Sequence, residues 1–443
     1  MARYSGNHSL FFGTIPCGHE PNSRYEKNNI SVDIDEKKQR EKVYEKVCMN
    51  PDNSELKTTA TFTAKLFLAF LRLGLTAFGG PAMIPYIRVL AVRKNAWLTE
   101  ESFKHGVAVC QSIPGATAMQ VAAYVGLRAG GMLGAVATYV GFGFPAFLLM
   151  VALAALYDRA HDLAAVISAF NGLQVIVVAL VANATVSFGR STIKKRQDLL
   201  LGLGVAAFLT TQGSPIIAII LSALVGMILY RKEEVKRHNH IRSTHGSLLK
   251  NLRAPLLLTL ALALGLLTLF YLDRQLFTLS AMMVKIDLFA FGGGYGSVPL
   301  MLHEVVSARQ WMDSKTFMDG IALGQATPGP IVITATFVGY LLAGISGALI
   351  GTISIFTPSL IILTVVVPYF DRLQNNVLFQ RGLRGVLVSF VGLLLAVTVR
   401  FALSIDWGVY QVLIVLLAFL ALRLKVDILW VVLIGAVIST LTL

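Results

Sequence analysis

Long stretches of this chain carry no charge, and that feature restricts the fold more than any other. Gly130 to Tyr157 and Ala254 to Leu272 contain no Asp, Glu, Lys or Arg, and Val426 to Leu443 contains only Asp427. About 20 apolar residues in a helix cross a hydrocarbon core roughly 30 Å thick. Helices satisfy their own backbone groups in lipid, whereas barrel strands would alternate apolar and polar residues. The chain therefore reads as an all-α polytopic membrane protein. Its composition agrees: 14% of residues are charged, against about 25% in soluble domains.

The net charge of +14 raises a nucleic-acid reading, which the distribution of charge removes. Residues 1–60 hold nine Lys/Arg and nine Asp/Glu, and the excess lies in short loops between apolar segments, where the positive-inside rule expects it. Residues 1–60 lack the layout of a signal peptide and read as a flexible polar cytosolic extension, with a short charge-rich stretch from Asp33 to Lys46. Cys17, Cys48 and Cys110 form neither a metal-spaced cluster nor an even disulfide set. His238, His240 and His245 cluster in the basic linker and read as solvated side chains rather than metal ligands. No metal site, cofactor or catalytic motif is expected, and self-association into a homo-oligomer is left open.

The chain is internally duplicated. Phe78-Gly79-Gly80 recurs as Phe291-Gly292-Gly293, Trp97 as Trp311, Gly106 as Gly320, and Gln111-Ser112-Ile113-Pro114-Gly115 as Gln325-Ala326-Thr327-Pro328-Gly329. Further on, Val125-Gly126 matches Val338-Gly339, Pro145 matches Pro358, and Asp158-Arg159 matches Asp371-Arg372. The separation stays at 213 or 214 throughout, for example 320 − 106 = 214 and 358 − 145 = 213. Two repeats follow, at 61–230 and 274–443, each with about six apolar segments. A basic cytosolic linker (231–253) and one connecting helix (254–273) separate them, for about 13 segments in all. Whether the glycine-containing segments span or form re-entrant hairpins turning at Gly79-Gly80 and Pro114-Gly115 stays open.

One added crossing between repeats inverts the second relative to the first, and loop charge agrees. Arg88 to Lys104 is +2 and its counterpart Met301 to Met318 is 0; Arg190 to Asp198 is +3 and Arg400 to Gln411 is 0. The bias then reverses: Asp158 to Asp162 is −1 against +2 for Asp371 to Arg384, and Thr211 to Ser214 is 0 against +1 for Arg423 to Asp427. The expectation is a cytosolic N-terminus, an external C-terminus and inverted repeats, a plan that holds substrate near the midplane.

Three features can carry chemistry. Gly79-Gly80-Pro81 and Gly292-Gly293 break helices inside apolar segments and free N–H groups for a ligand; the bland alternative is tight helix packing. Pro114-Gly115 and Pro328-Gly329 break a second pair of helices, flanked by Gln111, Ser112, Gln325 and Thr327, whose amides and hydroxyls can replace a solute's hydration; Gln120, Thr334 and Thr336 continue that polar lining. The alternative there is a capped kink. Arg72 and Lys285 stand seven residues before Gly79 and Gly292, at a depth where a cation is costly. They are expected to face each other and to bind a dianion, unless they snorkel. Asp287 has Gly74 as its counterpart and reads either as a proton-coupling group or as the counter-ion of Lys285.

Phe78-Gly79-Gly80-Pro81, Trp97-Leu98, Gln111 to Gly115, Phe291-Gly292-Gly293-Gly294-Tyr295, and Gln325 to Pro330 followed by Thr334-Ala335-Thr336-Phe337 resemble the chromate transporter family in its long, two-domain form. The resemblance implies a carrier in the cytoplasmic membrane that exports chromate, driven by the proton motive force and conferring chromate resistance, with sulfate as an isosteric competitor. Many members carry a histidine where this chain has Met83-Ile84, and their first Pro-Gly-Pro is Pro114-Gly115-Ala116 here.

Overall fold

The computed structural model describes residues 51–77, 83–160, 163–211, 213–231 and 248–442. Gly79, Gly80 and Pro81, the extension up to residue 50 and linker residues 232–247 lie outside the described residues. The chain divides into two units, Met1–Phe62 and Thr63–Leu443. The first contributes, among described residues, only the helical start from Pro51; everything below concerns the second.

Every regular element among the described residues is helical, and the protein is an all-α polytopic membrane protein. The first half holds α1 (Pro51–Thr76), α2 (Met83–Arg88) continued by a π turn (Val89–Lys94), α3 (Glu100–Ser112), α4 (Thr117–Ala160), α5 (Ala164–Thr192), α6 (Arg196–Thr210) and α7 (Pro215–Leu229). After the connecting helix α8 (Leu248–Leu272), the second half holds α9 (Arg274–Phe289), a 3-10 turn (Gly294–Gly296), α10 (Ser297–Leu302) with its own π turn (His303–Ala308), and α11 (Ser314–Ala326). It ends with α12 (Thr334–Val366), α13 (Phe370–Gln374), α14 (Val377–Leu403), α15 (Val409–Arg423) and α16 (Ile428–Thr442).

Local geometry recurs at the sequence offset. Thr99 caps α3 by accepting the Ser102 N–H (3.2 Å), and Asp313, 214 residues on, caps α11 through Thr316 (2.7 Å). Ala96 and Gln310, also 214 apart, share a positive φ of 49° and 53°. Gly131 in α4 and Gly344 in α12 break those helices with φ of 62° and 58°. At each break the chain folds back: Gly126 packs against the Gly134 carbonyl and Gly339 against that of Gly347, approaches that only glycine permits.

Pro114-Gly115 and Pro328-Gly329 are turns of helical hairpins. Gly106 of α3 lies against the Tyr124 ring of α4, and Gly320 of α11 against the Phe337 ring of α12, so the limbs on either side run antiparallel. Gly115 (φ 117°) and Gly329 (φ 130°) make those turns in the left-handed region. The limb 117–129 is about 20 Å long at 1.5 Å per residue, short of a bilayer core. The apolar segments expected from sequence are thus partly split into half-length pieces, and among the described residues five helices are long and apolar enough to cross a membrane.

Contacts between the halves are reciprocal. Gly115 N–H donates to the Ala290 carbonyl (2.8 Å), and Gly329 N–H donates to that of Ala77 (3.2 Å). Thr185 on α5 meets Thr398 on α14, its own counterpart (398 − 185 = 213), at 3.2 Å. A residue that touches its own counterpart lies on a two-fold axis, and swapped pairs are what such an axis generates. Contacts also sort the loops. His105 meets Asp371 (3.1 Å), Asp198 meets Arg384 (2.9 Å), and Arg381 donates to the Arg231 carbonyl (2.6 Å), joining the basic segments at the Thr192 end of α5. Lys315 meets Asp406 (2.8 Å), and Asp319 meets Tyr157 of α4 (2.9 Å) and Gln174 in the first half of α5 (2.8 Å).

Candidate functional site

The hairpin turns and the Gly292-Gly293 break converge on a cavity of about 380 Å³, a volume within the range of small-ligand sites. Each hairpin presents the start of a helix to it: Ala116 with Thr117 and Ala118 of α4, and Pro330 with Ile331 of the 3-10 turn (Ile331–Ile333) that leads into α12. Gly292, Gly293, Gly294 and Tyr295 form a third wall. Gln111 and Gln325, homologous residues of α3 and α11, face the cavity, and Ser191 and Thr192 at the end of α5 complete its polar lining. Phe188, Leu387 and Ile84 supply apolar wall; Ile84 belongs to the pair that stands where many family members carry histidine.

Backbone conformation explains the third wall. Gly292 and Gly293 both have φ of 81°, and Gly293 has ψ of −159°, a region essentially reserved for glycine. Their N–H groups, and those of Gly294 and Tyr295, have no acceptor among the described residues. Helix starts carry the positive end of the peptide dipole and unpaired donors. Together they suit an anion held by hydrogen bonds. Gln325 Nε2 lies 3.3 Å from the Tyr295 hydroxyl, which fixes one of the two glutamines.

No charged side chain lines the cavity among the described residues, so this cavity differs from the cation-lined pocket expected from sequence. Arg72 is exposed on α1 and outside the lining. Lys285, half exposed, donates to Glu304 (2.6 Å), a carboxylate only 7% exposed that also takes Arg309. Glu304 is thus the counter-ion of Lys285, and Asp287 is not. Asp287 is 1% exposed and accepts the Ser359 N–H at 2.7 Å, joining α9 to α12 behind the Gly115 turn. Ser112 and Thr327 also lie outside the lining; their hydroxyls donate to the carbonyls of Ala108 (2.8 Å) and Gly324 (2.9 Å) of their own helices. Gln120 donates to the Pro114 carbonyl, Thr334 to that of Ile331, and Thr336 meets Thr352, so these three brace the hairpins.

Thr117, Ser191, Thr192 and Tyr295 were not among the expected site residues. Thr117 and Tyr295 directly extend the two glycine motifs and carried that signal. Ser191 and Thr192 carried none, because α5 reaches the cavity only through tertiary packing. Gln111 and Ser191 are the exposed members of the lining, whereas Tyr295, Gln325, Pro330 and Ile331 are buried. The cavity therefore opens where Arg190, Lys194, Lys195 and Arg196 follow on.

Comparison with known proteins agrees with these features. A family model described as chromate transporter matches residues 64–227 and again 277–440. An uncharacterized transporter of Methanocaldococcus jannaschii is 47% identical over 378 residues, covering 85% of this chain and 94% of that one. A chromate transport protein of Pseudomonas aeruginosa is 33% identical over 350 residues (76% and 80%), and one of Cupriavidus metallidurans 30% identical over 339 residues (76% and 82%). No solved structure matches the chain.

Proposed function

We propose that this chain, which belongs to the chromate transporter family, carries chromate or another tetrahedral oxyanion across the cytoplasmic membrane by alternating access between two antiparallel halves. The observation that carries the reading is the cavity: an uncharged chamber walled by helix starts, two glutamines, three hydroxyl-bearing side chains from Thr117, Ser191 and Thr192, and unengaged glycine N–H groups. Such a chamber binds a dianion by directed donors and lets it leave, since no fixed cation among the described residues lines it. The antiparallel arrangement is supported by the homologous residues His105 and Asp319, the second bonded to Gln174 in the first half of α5 and the first to Asp371, which leads into α14 beside the Thr192 end of α5. The basic loop 190–196 at the cavity mouth supports a cytosolic opening, with the N-terminus in the cytosol and the C-terminus outside. Export is the direction proposed, driven by protons and conferring chromate resistance. Sulfate is the second reading, because it offers the same tetrahedral oxygens to the same donors. Transport rather than catalysis is the activity proposed.

The pattern of mutational effects tests it. Gln111→Ala and Gln325→Ala each remove a donor to a charged ligand and are expected to raise KM for chromate about tenfold, equivalent to about 1.4 kcal/mol. Arg72→Gln is expected to stay within about twofold of wild type, since snorkelling side chains at the surface bind nothing in the cavity. The check is uptake of radiolabelled chromate into proteoliposomes. Loss of transport in Arg72→Gln, with the glutamine variants unaffected, would return the site to the cations.

A further inference from the structure

Two clusters outside the cavity occupy equivalent places in the two halves. In one, His105 of α3 places Nε2 3.1 Å from Asp371 Oδ1 and Nδ1 3.4 Å from the Tyr124 hydroxyl, with Phe370 edge-on to its ring at 5.5 Å. In the other, Asp319 of α11 accepts the Tyr157 hydroxyl (2.9 Å) and Gln174 Nε2 (2.8 Å), with Phe337 against the Tyr157 ring at 5.2 Å. The correspondence is residue by residue: 105 with 319, 124 with 337, 370 with 157. In both clusters the outer limb of the second hairpin of one half is fastened to the end of a long helix of the other half. Asp319 is fastened level with Gln174 in the first half of α5, whereas Asp371, the partner of His105, leads into α14, whose Val391 packs at Gly189 near the Thr192 end.

The two fastenings respond to protons with opposite sign. Protonated His105 pairs with the Asp371 carboxylate and tightens its contact, whereas neutral imidazole offers a single hydrogen bond. Asp319 is 5% exposed and meets only neutral donors. As a carboxylate it accepts both; once protonated it gives up acceptor capacity and loosens its contact. The other charged and titratable groups facing His105 are Glu101 and Lys104 on α3, Tyr124 and Arg128 on α4, and Asp371 and Arg372 on α13. Those facing Asp319 are Asp313 and Lys315 on α11, the latter engaged by Asp406, then Tyr157, Asp158 and Arg159 at the end of α4, and Tyr340 on α12; the segments of α5 and α16 packed there carry none.

We propose that His105 and Asp319 are two proton-binding sites of the transport cycle, each working a latch between the halves at one end of the protein. The proposal rests on the transport reading above and supplies its coupling device: acid closes the His105 end, where the cavity opens, and releases the Asp319 end.

Accessibility of the cavity mouth tests it. Ser191→Cys is introduced into the full chain with Cys17, Cys48 and Cys110 replaced by Ser, and labelled with a membrane-impermeant thiol reagent. Acidification from about pH 8 to about pH 5, the range in which histidine takes up its proton, is expected to slow labelling about fivefold or more. His105→Gln and Asp319→Asn should each remove part of that dependence, and the double variant all of it. Tyr157→Phe, which deletes one hydroxyl and keeps the ring, should slow labelling already at pH 8. In proteoliposomes Asp319→Asn should retain chromate–chromate exchange and lose accumulation driven by a proton gradient. A double variant that labels with wild-type pH dependence overturns the proposal. So does accumulation that survives Asp319→Asn and is lost in Asp287→Asn, which would hand coupling to Asp287. Absence of any chromate flux in the wild type, with the labelling pattern intact, would sink the transport reading and leave the latches standing.

Discussion

Gly293→Ala is expected to cut chromate uptake about a hundredfold or more while leaving normal amounts of folded protein in the membrane. Gly293 sits at φ 81° and ψ −159°, where a β-carbon strains the backbone by about 1–3 kcal/mol. The new methyl would stand 3.0 Å from Thr117 Oγ1, inside the cavity. Strain and occlusion thus act on the same wall, and the N–H groups that follow lose their aim. Gly292→Ala is the informative companion. Its β-carbon meets the rings of Phe390 and Phe188 at 3.6 Å and beyond, an ordinary contact, so strain alone remains and a smaller loss of uptake is expected. Size-exclusion profiles in detergent, run beside the uptake assay, separate occlusion from misfolding.

Asp198→Ala is expected to remove the folded protein altogether. This carboxylate is fully buried and receives the N–H groups of Lys194 (2.9 Å) and Lys195 (3.0 Å), the Tyr230 hydroxyl (2.7 Å) and the Arg384 guanidinium (2.9 Å). It ties the α5–α6 loop to the end of α7 and to α14, a junction of the two halves. Taking one partner out of a buried pair costs about 3–5 kcal/mol, a large share of the 5–15 kcal/mol that holds a typical domain together. Arg384 would lose its carboxylate partner while its stacking on Tyr230, 4.2 Å from the ring centroid, remains. Asp198→Asn, which retains an acceptor, should recover part of the loss, and Lys194→Ala should be close to neutral because that contact uses backbone. Yield after solubilisation and a thermal scan check all three.

The parts of the fold carried by local pattern were legible in the sequence. Uncharged runs require lipid, duplicated Gly and Pro mark the turns, and the turns fall where expected at Gly115, Gly329 and Gly292-Gly293. The candidate cavity adjoins the same motifs: Gln111, Gln325 and the second-half glycines stand beside those turns. Arg72 and Lys285 misled because sequence gives the depth of a side chain but not the direction its helix face points. Arg72 faces outward, and Lys285 meets Glu304, 19 residues away across a turn. Ser191 and Thr192 were invisible because they reach the cavity from an uninterrupted helix, positioned by packing between α5 and α14. Ser112 and Thr327 show the converse: a hydroxyl beside a broken helix often satisfies its own carbonyls.

The most direct test of an anion pathway through an uncharged cavity is the uptake of radiolabelled chromate by purified protein in liposomes, with graded unlabelled sulfate as competitor. Saturable uptake, suppressed by sulfate and abolished by Gly293→Ala, is the expected result. Flux no greater than in protein-free liposomes, from protein shown to be folded and inserted, would contradict it.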